Sequence, residues 1–176
     1  LIGMGVVLGR CILRGAHTAA GELGYLLLEP GQLSRQYESM GALEERISGF
    51  GLGKRVREAL AAQGKANKAA TAIDLFALAA EGERWAQEIV HDFVETLSLV
   101  LVDVATLFDP EIIVLGGGVM ESAEAFMGQV RRYIHGKTPH PIRVERTELG
   151  ANVTILGGCT NVMQHAMHYT LFRSMV

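Results

Sequence analysis

Between Phe93 and Phe108 the chain runs for sixteen residues with only Glu95 and Asp103 charged. It halts at Asp109-Pro110 and resumes at once as the β-branched string Glu111 to Leu115, EIIVL. An apolar run of this kind fits a helix buried on most sides, and the proline closes it. The short string after it reads as a central strand that empties into Gly116-Gly117-Gly118. A buried helix, a strand and a glycine turn in succession belong to layered α/β domains. The run is too short, and with its two acids too polar, to cross a bilayer comfortably.

The same reading extends in both directions. Val6 to Leu8 and Cys11 to Leu13, joined through Gly9-Arg10, predict a hairpin, and Leu23 to Leu28 predicts a third strand ended by Pro30-Gly31. Leu43 and Ile47, then Leu52, Val56 and Leu60, recur at helical spacing around a break at Ser48 to Gly51. Gly64 to Thr71 reads as a polar loop, Ala72 to Ala80 as a helix, and the long helix as running from about Glu83 to Leu107. A helix from about Ser122, a strand near Ile142 to Arg146 and a terminal helix from about Ile155 to Phe172 complete the α/β order.

Charge and cysteine content narrow the function classes. Sixteen basic residues against nineteen acidic ones give a net charge of −3, and the Lys and Arg residues are scattered. Nucleic-acid binding through this segment is therefore not expected. Two cysteines, Cys11 and Cys159, outside any CxxC pair predict a reducing, cytoplasmic setting. The opening LIGMGVVLG has neither the charged leader nor the cleavage pattern of a signal peptide. It starts inside an apolar, glycine-punctuated element and without methionine, so further polypeptide is expected ahead of it.

Two glycine turns and two acids attract attention as chemistry. Gly3-Met4-Gly5 precedes the hairpin, and Gly116 to Gly118 joins a strand to a helix. Such junctions let a ligand approach free backbone amides at the positive end of a helix, which suits phosphate or nucleotide. Both are equally compatible with plain tight turns, and no GxxxxGK[ST] pattern occurs. Glu22, between Gly21 and Gly24, is either a rigidly held acceptor for sugar hydroxyls or a solvated turn acid. Glu44 is either a second acceptor or a first-turn acid favoured by the helix dipole. His165 and His168 have a metal-ligand spacing without a third ligand, and His135 and His140 bracket a proline loop; neither pair is assigned to metal. No GxSxG occurs, and Cys159 reads as a small buried residue in a packing turn.

Together these segments resemble the signature of the ROK family of bacterial sugar kinases and sugar-responsive repressors. Arg14-Gly15-Ala16 and Ala20-Gly21-Glu22-Leu23-Gly24 match its order and spacing. Asp109 to Val119, DPEIIVLGGGV, is similar to the family's strand and glycine turn, and Leu149 to Cys159, LGANVTILGGC, to its closing helix entry. The resemblance covers nearly the whole chain. It implies an actin-like, hexokinase-like (ribonuclease H-like) fold of two α/β lobes, with residues 1–176 as the C-terminal lobe and 14–48 as its sugar-loop region. ATP with Mg²⁺ and a sugar would share the cleft. Glu22 and Glu44 would accept sugar hydroxyls, Gly3 and Gly5 would face the ATP phosphates, and Gly116, Gly117 and Gly118 would lie by the adenosine.

Two departures from the family pattern stand out. Tyr25 occupies the place of a histidine that is both zinc ligand and sugar neighbour, and the zinc cysteines fall on Arg35, Tyr37 and Ala42. The expectation is no structural zinc, as in a zinc-less branch that includes β-glucoside kinases, with packing and hydrogen bonds holding that loop. The family's catalytic aspartate belongs to an Asn-Asp segment ahead of Leu1, and neither Asp103 nor Asp109 resembles it. The resemblance thus implies a homodimeric ATP-dependent sugar kinase when intact, acting on a hexose, N-acetylhexosamine or glucoside. The chain alone would be inactive. A sugar-sensing repressor of the same family is the alternative, and a half-protein used for assembly a third.

Overall fold

A computed structural model describes residues 1–9, 11–152 and 155–160. Strands β1 (Val7–Leu8) and β2 (Cys11–Ile12) form the expected antiparallel hairpin, Val7 opposite Ile12. The helices follow: α1 (Ala42–Ile47), α2 (Gly49–Ala62), α3 (Ala72–Ala80) and α4 (Arg84–Phe108). After them come β3 (Ile113–Leu115), α5 (Met127–Ile134) and β4 (Val144–Arg146), with β3 and β4 parallel and Ile113 opposite Val144.

Local chemistry sets most of these boundaries. Between α1 and α2, Ser48 turns extended and its hydroxyl accepts the Gly51 N–H at 2.9 Å, capping α2. A Cβ on Gly51 would overlap the Glu45 carbonyl, so glycine is what lets the start of α2 pass the end of α1. Asp74 caps α3 by accepting both the Thr71 N–H (2.7 Å) and hydroxyl (2.8 Å). Helix α4 ends where Asp109 turns left-handed at φ 42° and Pro110 follows.

The core lies where α3, α4 and α5 meet. Phe126 stacks on Phe76 with ring centroids 5.3 Å apart, and meets Phe93 edge-on at 4.9 Å. Leu52 and Val56 from α2, Leu75 from α3, Val94 from α4 and Val130 from α5 are sealed around this trio.

Several expectations are corrected. Leu23 to Leu28 is not a strand: Leu23–Tyr25 forms a 3₁₀ turn, because Tyr25 N–H bonds to the Glu22 carbonyl and Leu26 N–H to that of Leu23. Those amides are satisfied locally and leave no ladder to build. Strand β3 is not central among the described residues; it pairs with β4 alone, and Val114 is 56% exposed. Helix α4, by contrast, is buried on most sides as expected, with Leu99 and Leu107 facing outward. The helix expected from Ser122 is a 3₁₀ stretch, Gly118–Ala125, kinked at Ser122, and α5 starts only after Phe126 has turned inward at φ −134°. Cys159 is exposed in a helical stretch at 155–160. The rest of the expected terminal helix, with His165 and His168, lies outside the described residues, as does Arg10 of the hairpin turn.

Candidate functional site

A cavity of about 1080 Å³ separates the opening segment from β3. Its apolar wall comes from α1 and α4, through residues such as Leu43, Phe93, Leu97 and Leu101. Both glycine turns line it: Gly3 and Gly5 on one side, Gly116, Gly117 and Gly118 on the other. The two segments are more than a hundred residues apart in the chain, and the fold sets them around one space.

The second turn has the geometry expected of a ligand approach. It follows β3 at the carboxyl end of a parallel strand pair, the edge where open α/β sheets place ligands. Gly117 sits at φ 100°, ψ 172°, a region essentially reserved for glycine. A Cβ on Gly117 or Gly118 would meet nothing within 4 Å, so this backbone is open to an incoming group. Behind it, Gly116 packs close to Thr147, whose N–H extends the ladder to the Leu115 carbonyl at 2.8 Å.

The first turn is laced to the acid loop. Met4 N–H donates to the Gly21 carbonyl at 2.7 Å, and Gly24 N–H donates to that of Ile2 at 3.1 Å. Gly21 is left-handed at φ 91°, and a Cβ there would overlap the Met4 carbonyl oxygen. Glu22 stands exposed on this rigid loop, next to Tyr25, which is 44% exposed.

Glu44 occupies the opposite environment. Carried by the first turn of α1, it is buried behind Gly24. Its Oε1 lies 3.1 Å from the Leu1 amine, a nitrogen that is a peptide N–H wherever further residues precede it. A buried carboxylate needs donors, and Glu44 lies where the opening segment and the acid loop converge. Of the expected site residues, Gly3, Gly5 and Gly116 to Gly118 line the cavity, whereas Glu22, Tyr25 and Glu44 are not among its lining residues; Glu22 and Glu44 adjoin Leu23 and Leu43, which are.

The positions of the expected zinc ligands carry other contacts. Arg35 bonds to Glu45 at 3.0 and 3.3 Å, and its guanidinium lies over the Tyr37 ring at 4.8 Å. Ala42 is buried at the start of α1. The Tyr37 hydroxyl is buried and finds no partner among the described residues. Also among the described residues, no three His, Cys, Asp or Glu side chains gather as a metal cage. His135 and His140 are exposed, as is Asp103 on α4; Asp109 borders the cavity as the cap of α4.

Sequence reasoning missed an ionic cluster on α1, α2 and α4. Arg46 on α1 bonds to Asp92 of α4 through Nη2 (2.5 Å) and Nε (3.1 Å), and to Glu29 through Nη1 (2.5 Å). Arg55 on α2 donates to the other Asp92 oxygen at 2.6 Å. Burial pushes the Asp92 carboxyl up, but the hydrogen bonds and charges of Arg46 and Arg55 outweigh it and hold the group below its ordinary value. The hydrogen bond to Asp92 raises Arg46, against burial and with help from Glu29. A separation of 46 residues between Arg46 and Asp92 leaves no local sequence signal.

Comparisons with known proteins identify the family. The model of the ROK family matches residues 2–164. The bifunctional enzyme NanE/NanK of Brucella melitensis biotype 1 is 36% identical over 89% of this chain, which spans 28% of that protein. The N-acetylmannosamine kinase of Escherichia coli O139:H28 is 32% identical over 76% of this chain and 43% of its own length. The crystal structure of a ROK hexokinase from Thermus thermophilus superposes with a TM-score of 0.69 at 32% identity, covering 88% of this chain and 51% of that one. The chain accordingly spans between 28% and 51% of the length of these relatives. Its α/β architecture is that of the actin-like sugar kinases, and with a family match running almost end to end, this chain belongs to the ROK family.

Proposed function

We propose that the protein carrying this chain transfers a phosphoryl group from ATP to a sugar hydroxyl. The observation that carries this reading is the single cavity bordered by both glycine turns in a ROK-family chain, with Glu22 and Glu44 each next in sequence to a lining residue, Leu23 and Leu43. The resemblance to the protein named N-acetylmannosamine kinase favours an N-acetylhexosamine as acceptor.

Each residue then has a role it can fill chemically. Glu22, exposed on a loop locked by Gly21 and Gly24, offers two acceptor oxygens to vicinal sugar hydroxyls. Glu44 would join it from behind Gly24, and Tyr25 would flank the ring. The open backbone of Gly117 and Gly118, with Gly116 behind it, would border the adenosine, and Gly3 and Gly5 the phosphates. ATP would bring Mg²⁺, whose chemistry is charge neutralisation along the phosphates. The aspartate that takes the sugar proton is expected ahead of Leu1, so this lobe contributes binding and orientation. A cytoplasmic homodimer is part of the same reading.

The test is ATP consumption by the full-length protein against hexoses, N-acetylhexosamines and β-glucosides. Turnover that depends on one sugar class establishes the kinase and names its substrate. Tight sugar binding without turnover overturns it in favour of the sensor-repressor.

A further inference from the structure

Four elements meet in one ionic cluster. Glu29 stands just ahead of the short 3₁₀ stretch Pro30–Ser34, and Gln32 Oε1 takes the N–H groups of Leu28 (2.7 Å) and Glu29 (3.2 Å). That turn is thereby rigid, and Glu29 hands its carboxylate to Arg46. Arg46 belongs to α1, two residues after Glu44; Asp92 belongs to α4, and Arg55 to α2. Arg55 also donates to the Arg46 carbonyl at 3.3 Å. Two guanidiniums and two carboxylates balance in charge, and Arg46, Asp92 and Arg55 are each only about a quarter to a third exposed. A planar guanidinium with donors along two edges can satisfy two carboxylates at once in fixed directions, which an ammonium cannot do.

We propose that Arg46 is a positioning residue for the acid loop: clamped on Asp92, it holds Glu29 and thereby fixes residues 22–35 against α1. The last residue of this segment is tied to the neighbouring α1 residue by the Arg35–Glu45 pair. Adjacent residues of α1 therefore hold the middle and the far end of the loop, while the inward face of the same helix carries Glu44. Arg46 acts through the loop and touches no substrate. Its kinetic consequence rests on the sugar-kinase reading, because Glu22 is the group being placed.

The experiment compares Arg46→Met, Arg46→Lys and Glu29→Gln in the full-length protein, by amide hydrogen exchange over residues 22–35 and by steady-state kinetics. Expected for Arg46→Met is faster exchange in that segment, with sugar KM raised roughly tenfold and ATP KM within about twofold. Arg46→Lys restores part of the effect, since one of the two carboxylates can still be paired. If Arg46→Met does not fold, Glu29→Gln carries the same comparison, because it releases the loop and leaves the Asp92 clamp intact. Unchanged exchange over residues 22–35 overturns the proposal, as does an equal rise of both KM values alongside a general loss of stability. A wild-type protein that turns over no sugar overturns the kinase reading alone, and the exchange comparison still decides the role of Arg46.

Discussion

Gly24 lies against the Glu44 carboxylate: a Cβ built on Gly24 would come 2.9 Å from Oε2 and 3.2 Å from the Glu44 Cβ. The same Cβ would come 3.2 Å from the Ile2 carbonyl oxygen, to which the Gly24 N–H already bonds. Three segments therefore converge on a residue with no side chain. Replacing Gly24 with alanine forces Glu44 or the opening segment to move, and overpacking of this kind costs about 1–3 kcal/mol. Thermal unfolding of Gly24→Ala should show that loss, while Gly31→Ala, with nothing within 4 Å of its added Cβ, should change little.

Glu22 is exposed, so Glu22→Gln should leave stability unchanged. The loss should appear in sugar affinity instead. A hydrogen bond to a charged group is worth about 1.5–3 kcal/mol, which corresponds to a rise in sugar Kd of roughly 10- to 150-fold. Calorimetric titration of the full-length variant checks this, and an unchanged Kd removes Glu22 from the sugar site.

Gly117→Ala tests the opposite side of the cavity. At φ 100° an alanine carries backbone strain of about 1–3 kcal/mol, although no neighbouring atom would touch the new methyl. The expected outcome is a raised ATP KM with sugar affinity preserved, measured by varying each substrate at saturating levels of the other.

Asp92 gives the fold an acid-side dependence. Burial alone would raise its pKa, but the Arg46 and Arg55 hydrogen bonds and charges prevail and lower it in the folded state. The unfolded chain then binds more protons in the interval between the two values, so stability increases with pH there. The contribution is fully present above about pH 4, the ordinary carboxylate value, and is lost as pH falls through the folded-state pKa. Urea midpoints should fall on acidification in the wild type, and more shallowly in Asp92→Asn, whose stability near neutrality is already lower.

The Tyr37 hydroxyl is buried with no partner among the described residues. Removing an unsatisfied polar group deletes a desolvation cost, so Tyr37→Phe should leave stability unchanged or raise it by up to about 1 kcal/mol. A drop in Tm of several degrees would mean that the hydroxyl is bonded in solution.

Elements whose hydrogen bonds close within a few residues were legible in the sequence. Ala72 to Ala80 and the long helix before Pro110 came out nearly to the residue, because apolar periodicity and a terminating proline are local signals. The two glycine turns, Glu22 and Glu44 were likewise visible as residues, and the family motifs tied them together. Apolar pattern misleads where the backbone amides do not follow it. Leu23 to Leu28 looks apolar enough for a strand, yet the Gly24 amide goes to Ile2 and the next two turn back on the loop itself. Exposed Glu22 and buried Glu44 also look alike in sequence, and only tertiary packing sets one in water and the other behind a glycine. The sequence by itself determined which local turns and helices form, because their bonds span a few residues. Tertiary structure alone decided that Arg46, Asp92, Arg55 and Glu29 meet, and that glycine turns more than a hundred residues apart face one cavity. Such contacts depend on how helices pack, and no short stretch of chain carries that information.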